Sequence, residues 1–133
     1  MSGEKENDCA MRSLASREKL REFFGHEPKL EYPRLPYKSN VVTVEAELEH
    51  GHVWLKFMPQ AGWAQLRLVT RPFGIVKLEL LDISHMNVRK RDGQLELVIR
   101  FARALTSNLV LCLQPHVMLF WGNEGPGSNA KPQ

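Results

Sequence analysis

Cysteine is scarce in this chain: two in 133 residues, Cys9 in a polar N-terminal stretch and Cys112 inside an apolar run. That scarcity excludes a disulfide-stapled scaffold and suits a reducing compartment. Cys112 reads as a buried small hydrophobe, and no Cys9–Cys112 bridge is expected. Long hydrophobic runs are also missing. The longest apolar stretch, Leu109 to Trp121, is broken by Gln114, Pro115 and His116. A membrane span needs roughly 20 consecutive apolar residues. The N-terminus, MSGEKENDCAMRS, has no apolar core of the kind a signal peptide carries. These absences predict a cytoplasmic chain with no membrane partner.

The signatures of catalysis are lacking as well. There is no G-x-S-x-G elbow for a serine nucleophile and no glycine-rich loop of the phosphate-cradling types. Ser84 and His85 are neighbours and Asp82 stands two residues before them. Adjacent side chains on a strand point to opposite faces, so this triplet does not assemble a triad. Paired carboxylates occur only as alternate strand residues, Glu45 and Glu47, as on a solvated face. Of the five histidines, His50 and His52 have the spacing that puts two rings on one strand face, but no third metal ligand stands near them. His85 and His116 stand alone among apolar residues and read as structural. The expectation is a non-enzymatic protein with no cofactor and no metal.

What the chain does have is alternation. In WAQLRLVTRPFGIVKLELLDISHMNVRKRDGQLELVIRF, residues 63–101, Ala64, Leu66 and Leu68 oppose Gln65 and Arg67. Val76, Leu78 and Leu80 oppose Lys77 and Glu79, and Leu95, Leu97, Ile99 and Phe101 oppose Glu96 and Arg100. A period of two is the mark of half-buried strands. Strands are expected near 41–49, 52–58, 63–70, 74–81, 86–91, 94–102, 109–113 and 117–122. His50-Gly51, Arg71-Pro72-Phe73-Gly74 and Asp92-Gly93 supply turns between them. The last two strands are apolar on both faces, which predicts that they are central or covered by a helix.

One helix is expected over residues 13–24, with Ser13 or Ser16 as N-cap, Leu20, Phe23 and Phe24 as its apolar stripe, and Gly25 as its stop. A connector with Pro28, Pro33, Pro36, Tyr32 and Tyr37 follows. Residues 1–12 and 124–133 read as disordered tails around a single domain, 13–123. The fold class is therefore mainly β: an antiparallel meander, sandwich or partly closed barrel, with one N-terminal helix.

Charge is uneven. Residues 1–50 hold 8 Lys/Arg and 10 Asp/Glu, whereas residues 64–104 hold 8 Lys/Arg and 4 Asp/Glu. Two binding surfaces are candidates. A basic one, Arg67, Arg71, Arg89, Lys90 and Arg91, would suit a nucleic acid or another anion. An acidic one, Glu45, Glu47 and Glu49 on one strand face, would suit a basic partner.

Two families share patterns with the chain. Leu81-Asp82-Ile83-Ser84-His85-Met86-Asn87 resembles the D-x-S-x-x-G motif of PilZ domains, with Asn87 where the glycine would be, and Arg67-Leu68-Val69-Thr70-Arg71 is similar to their R-x-x-x-R. That resemblance implies a cyclic dinucleotide ligand. Leu20-Arg21-Glu22-Phe23-Phe24-Gly25-His26-Glu27-Pro28 resembles the opening of the immunity protein 50 family, and Leu66 to Val88 resembles that family's strand–turn–strand ending in an Asn-Val pair. The chain carries Lys29-Leu30-Glu31-Tyr32 where that family tends to show a His-Asp pair. This second resemblance implies a bacterial protein that binds and neutralises a cognate toxin, with a protein partner and no catalytic residue. A nuclease has a basic active site and is usually met by an acidic inhibitor surface. The basic β region then predicts either a toxin of another kind or docking through the acidic residues.

Overall fold

The computed structural model describes residues 10–71, 74–102, 108–114 and 116–122. Ten strands and one helix follow in the order β1 (Ser13–Leu14), α1 (Arg17–Phe24), β2 (Lys29–Leu30), β3 (Val42–Leu48), β4 (Gly51–Met58), β5 (Trp63–Thr70), β6 (Gly74–Leu80), β7 (Ile83–Arg91), β8 (Gln94–Phe101), β9 (Asn108–Cys112) and β10 (Met118–Gly122). They form two five-stranded sheets. The first runs β2-β3-β4-β5-β6 and the second β1-β7-β8-β9-β10. Every pairing is antiparallel except β1 with β7. The protein is a sandwich and not a closed barrel.

The period-two pattern fixes which residues enter the space between the sheets. Val42, Val44, Ala46, Val53, Leu55, Phe57, Ala64, Leu66 and Leu68 come from the first sheet. Met86, Leu97, Ile99, Leu109 and Leu111 come from the second, and all belong to one buried cluster. The β7–β8 hairpin turns at Asp92-Gly93, both with positive φ (52° and 81°), as a type I′ turn requires. At the β3–β4 hairpin the turn is Glu49-His50, and Gly51 is already the first residue of β4. A Cβ on Gly51 would collide with the carbonyl oxygen of Val69 on β5, so only glycine lets these two backbones approach.

The helix begins later than the sequence pattern predicts. Ser16 is its N-cap, its Oγ accepting from the Lys19 N–H at 3.1 Å. Gly25 closes it with φ 83°. Ser13 and Leu14, expected in the helix, instead pair in parallel with His85 and Met86. Met11 N donates to the Pro59 carbonyl and Arg12 N to the Ser84 carbonyl, so residues 11–12 are tied to both sheets rather than forming part of a tail. The expected tails at 1–9 and 124–133, and Cys9 with them, lie outside the described residues, as do Pro72, Phe73 and Pro115 of the expected turns.

Leu20, Phe23 and Phe24 are buried and pack into the common cluster, with the helix touching β3 of one sheet and β7 and β8 of the other. The helix therefore fills the side of the sandwich and does not cover the last two strands. That corrects one expectation: β10 is an edge strand. The outward residues of β9, Val110 and Cys112, are buried instead beside Val98 and Phe120 on the same face.

The connector is held by Asn40, which is buried and makes four hydrogen bonds. Its Oδ1 accepts from Tyr32 N and Val41 N, and its Nδ2 donates to the carbonyls of Tyr32 and Leu35. Tyr37 turns inward, donates to the Ala15 carbonyl at 2.8 Å and meets Phe57 edge-on. Tyr32 stays exposed.

Two measurements check this packing. Leu97→Ala should cost about 2–5 kcal/mol, read as a lowered urea midpoint. Burial pushes the Tyr37 phenol well above its ordinary 10.0. Its contribution to stability is then complete below about pH 10 and is lost as pH rises further. Tyr37→Phe should cost about 1 kcal/mol at neutral pH, the worth of its hydrogen bond, and should flatten the alkaline decline in urea titrations.

Candidate functional site

The outer face of the first sheet carries its polar and aromatic side chains together. The alternation that turns Val44, Leu55, Leu66 and the partly buried Leu78 toward the core turns Glu45, Trp54, Arg67 and Lys77 outward. The registers place these four in one row across β3, β4, β5 and β6. The Arg67 guanidinium lies over the Trp54 indole, 4.6 Å from the ring centre. This is a cation–π contact that holds both side chains flat on the sheet. Trp63 Nε1 donates to Glu79 Oε2 at 2.8 Å. Trp54, Gln65, Arg67, Lys77 and Glu79 line a shallow depression of about 330 Å³.

Beside it lies an acidic patch. His52 Nε2 stands 2.8 Å from Glu45 Oε1 and 3.8 Å from Glu47 Oε2. With His26, Glu27 and Lys29 these residues line a second depression of about 300 Å³. Glu45 and Glu47 share the face, as their spacing predicts. Glu49 lies past the end of β3 in the turn, 3.7 Å from His50 Nε2. Among the described residues no group of three or more His, Cys, Asp or Glu could hold a metal ion.

The five basic candidates do not form one patch. Arg67 and Arg71 belong to the first sheet and its β5–β6 turn, where Arg71 N donates to the His50 carbonyl. Arg89, Lys90 and Arg91 lie on β7 of the second sheet. Arg89 Nε donates to Glu96 Oε1 at 2.6 Å, and Arg91 Nε is 4.0 Å from the same oxygen. Glu96 faces away from the core as its alternation predicts, yet it is only 5% exposed. Its cross-strand neighbours, Arg89 on β7 and Cys112 on β9, close over it. Arg89 and Arg91 therefore lean on one carboxylate while their side chains stay about one-third exposed, and Lys90 is exposed.

The same cluster disposes of Cys112 as a nucleophile. Its Sγ lies 3.9 Å from Glu96 Oε2, and desolvation together with that carboxylate pushes the thiol's pKa up, against the formation of thiolate. Ser84 and His85 do meet, contrary to the expectation from strand geometry. A register shift between Ile83 and His85 turns both side chains to one side, and Ser84 Oγ lies 2.7 Å from His85 Nδ1. The hydroxyl, however, donates to the Arg100 carbonyl at 3.3 Å. The pair secures the start of β7.

No protein-family model and no curated protein matches the chain. Among solved structures, it is similar to a chain of a contact-dependent growth inhibition toxin–immunity protein complex from Klebsiella pneumoniae 342. The TM-score is 0.69 at 14% sequence identity, and the match covers 84% of this chain and 96% of that one. At this identity the likeness is one of fold. It spans nearly the whole sandwich, so the resemblance is in the architecture and not in one hairpin. Among the described residues no helix is long and apolar enough to cross a membrane.

The Glu96 cluster predicts unequal losses. Glu96→Gln leaves Arg89 without its counter-charge and should cost about 2–3 kcal/mol, the upper part of the range for hydrogen bonds to charged groups. Arg91→Gln, removing the longer and partly exposed contact, should cost less than about 1 kcal/mol. Urea unfolding of the two variants checks the order.

Proposed function

We propose that this chain is the inhibitor half of a toxin–immunity pair, a non-enzymatic protein that binds a toxin domain and blocks it. The fold match to a chain of such a complex is the observation that carries this reading. The resemblance of residues 20–28 and 66–88 to the immunity protein 50 family points the same way. A neutralising protein needs a surface and no reacting group, which suits a fold in which Ser84, His85 and Cys112 are engaged in structure.

The outer face of the first sheet is the docking surface in this reading. It joins a tryptophan and an arginine, the residue types that dominate interface energetics, to an acidic patch within one row of strands. A basic active site would meet Glu45 and Glu47 first, with Trp54 at the centre of the contact. This is the acidic docking route that the charge distribution leaves open. The hairpin route is the weaker one, because Glu96 offsets one of the positive charges there and holds Arg89 against the sheet.

The test is co-expression with the toxin domain encoded beside this gene. The chain should restore growth and co-purify with that domain, and expressed alone it should not harm the cell. Toxicity of the chain by itself would assign it to the other half of the pair. Within a complex, Trp54→Ala should weaken binding about thirtyfold, as for an interface anchor. Glu45→Lys with Glu47→Lys should slow association about tenfold at low salt and less at high salt. Slowing by Lys90→Glu, with no effect of the acidic pair, would move the docking surface to the hairpin.

A further inference from the structure

The first sheet ends in β6, which is hydrogen-bonded to β5 on one side and is an edge on the other. Its exposure is unusual for an edge. Ile75 is 61% exposed, Val76 46% and the following Leu81 59%. Natural edges of this length are usually blunted by a proline, a bulge or an inward charge. β6 has no proline, bulge or inward charge, and its two exposed charges, Lys77 and Glu79, are of opposite sign; it pairs with β5 in unbroken register from Ala64↔Leu80 to Thr70↔Gly74.

The sequence of this edge is self-complementary. Residues 75–81 read I-V-K-L-E-L-L. In an antiparallel pairing about Leu78, Lys77 of one copy stands opposite Glu79 of the other. Ile75 then stands opposite Leu81, and Val76 opposite Leu80. Leu78 meets its own equivalent on the two-fold axis. Shifting the centre to Lys77 opposes two lysines, and shifting it to Glu79 opposes two glutamates. One register therefore matches charge with charge and apolar with apolar along the strand, with Ile75 meeting Leu81, the residue just past the strand's end, and its neighbours are penalised. Each side-chain pair also lies on a single face. Within β6, Ile75, Lys77 and Glu79 are on the outer face, and Val76, Leu78 and Leu80 on the core side.

We propose that β6 binds β6 of a second copy of this chain, joining two five-stranded sheets into one continuous ten-stranded sheet. The interface is isologous, and the same residues serve both partners. It consists of one strand pair, far smaller than a standard stable interface, so the dimer forms at high micromolar concentration and is monomeric when dilute. The pairing uses Lys77 and Glu79, which also line the rim of the depression beside Trp54, with Glu79 accepting from Trp63 as well, but it leaves Trp54 and Glu45 uncovered and does not depend on the toxin reading.

Sedimentation velocity over a concentration series tests the proposal. The native chain should shift from monomer to dimer, and the backbone amides of 75–81 should gain protection from hydrogen exchange as it does. Lys77→Glu opposes two pairs of acidic side chains across the axis, and Glu79→Lys opposes two pairs of basic ones. Each variant alone should weaken the dimer by about tenfold or more. Mixed together they form complementary pairs, and a heterodimer should appear. Urea unfolding of each variant shows that the monomer is intact, and if one of them is not, the Ile75→Lys variant replaces it. A native chain that stays monomeric throughout the series overturns the proposal. So does dimerisation that survives both single variants, or protection of 75–81 that appears only when a toxin domain is added.

Discussion

The architecture hinges on a corner of two residues. β6 ends at Leu80 in one sheet and β7 begins at Ile83 in the other, so Leu81 and Asp82 carry the chain across the sandwich. Asp82 adopts φ 60°, a conformation that aspartate tolerates better than most side chains. The corner is fastened on both sides. Ile83 N donates to the Gly62 carbonyl, and the Asp82 carbonyl accepts from Ala102 N. Everything from β2 to β6 is one meander and everything from β7 to β10 is another, so this crossing makes two sheets out of what would be one. The helix then occupies the side, where Leu20, Phe23 and Phe24 reach both layers.

The same corner explains what the sequence could and could not convey. Strand alternation is a local property, and the eight longer strands were legible from it, as were the type I′ turn at Asp92-Gly93 and the helix stop at Gly25. β1 and β2, two residues each, are too short to show a period. Glu96 looks like any outward polar residue until Arg89 and Cys112 are known to flank it. Ser84 and His85 should diverge on a regular strand, and only the irregular register at that point reverses this. The five basic residues look like one cluster because they lie within 25 positions of each other in the sequence. The crossing at Asp82 falls between Arg71 and Arg89 and sends the two groups to different sheets. Asn40 gave no signal at all, since its value lies in four backbone groups that converge on it only in the folded connector.

For function, the useful contrast is between the two outer faces. On the second sheet polar groups are paired within the sheet: Arg89 and Arg91 lean on Glu96, and Ser84 donates to the Arg100 carbonyl. On the first sheet a row running Glu45, Trp54, Arg67, Lys77 passes from acid through aromatic to base within four strands. Arg67 rests on Trp54, and Glu45 meets His52 beside the row. The row itself arises from strand register alone.

The parallel pairing of β1 with β7 has a consequence for how the chain is made. Ser13 Oγ donates to Asn87 Oδ1 across 74 residues of sequence. Chains emerge from the ribosome N-terminus first, so β1 and the helix behind it are synthesised long before the strand that receives them. The β3–β6 meander can close as it appears, hairpin by hairpin, but its apolar face stays open until β7 and β8 arrive. The helix stripe and that face must therefore wait through the synthesis of half the protein. During that interval the N-terminal segment depends on its own polar character, and not on the fold, to stay in solution.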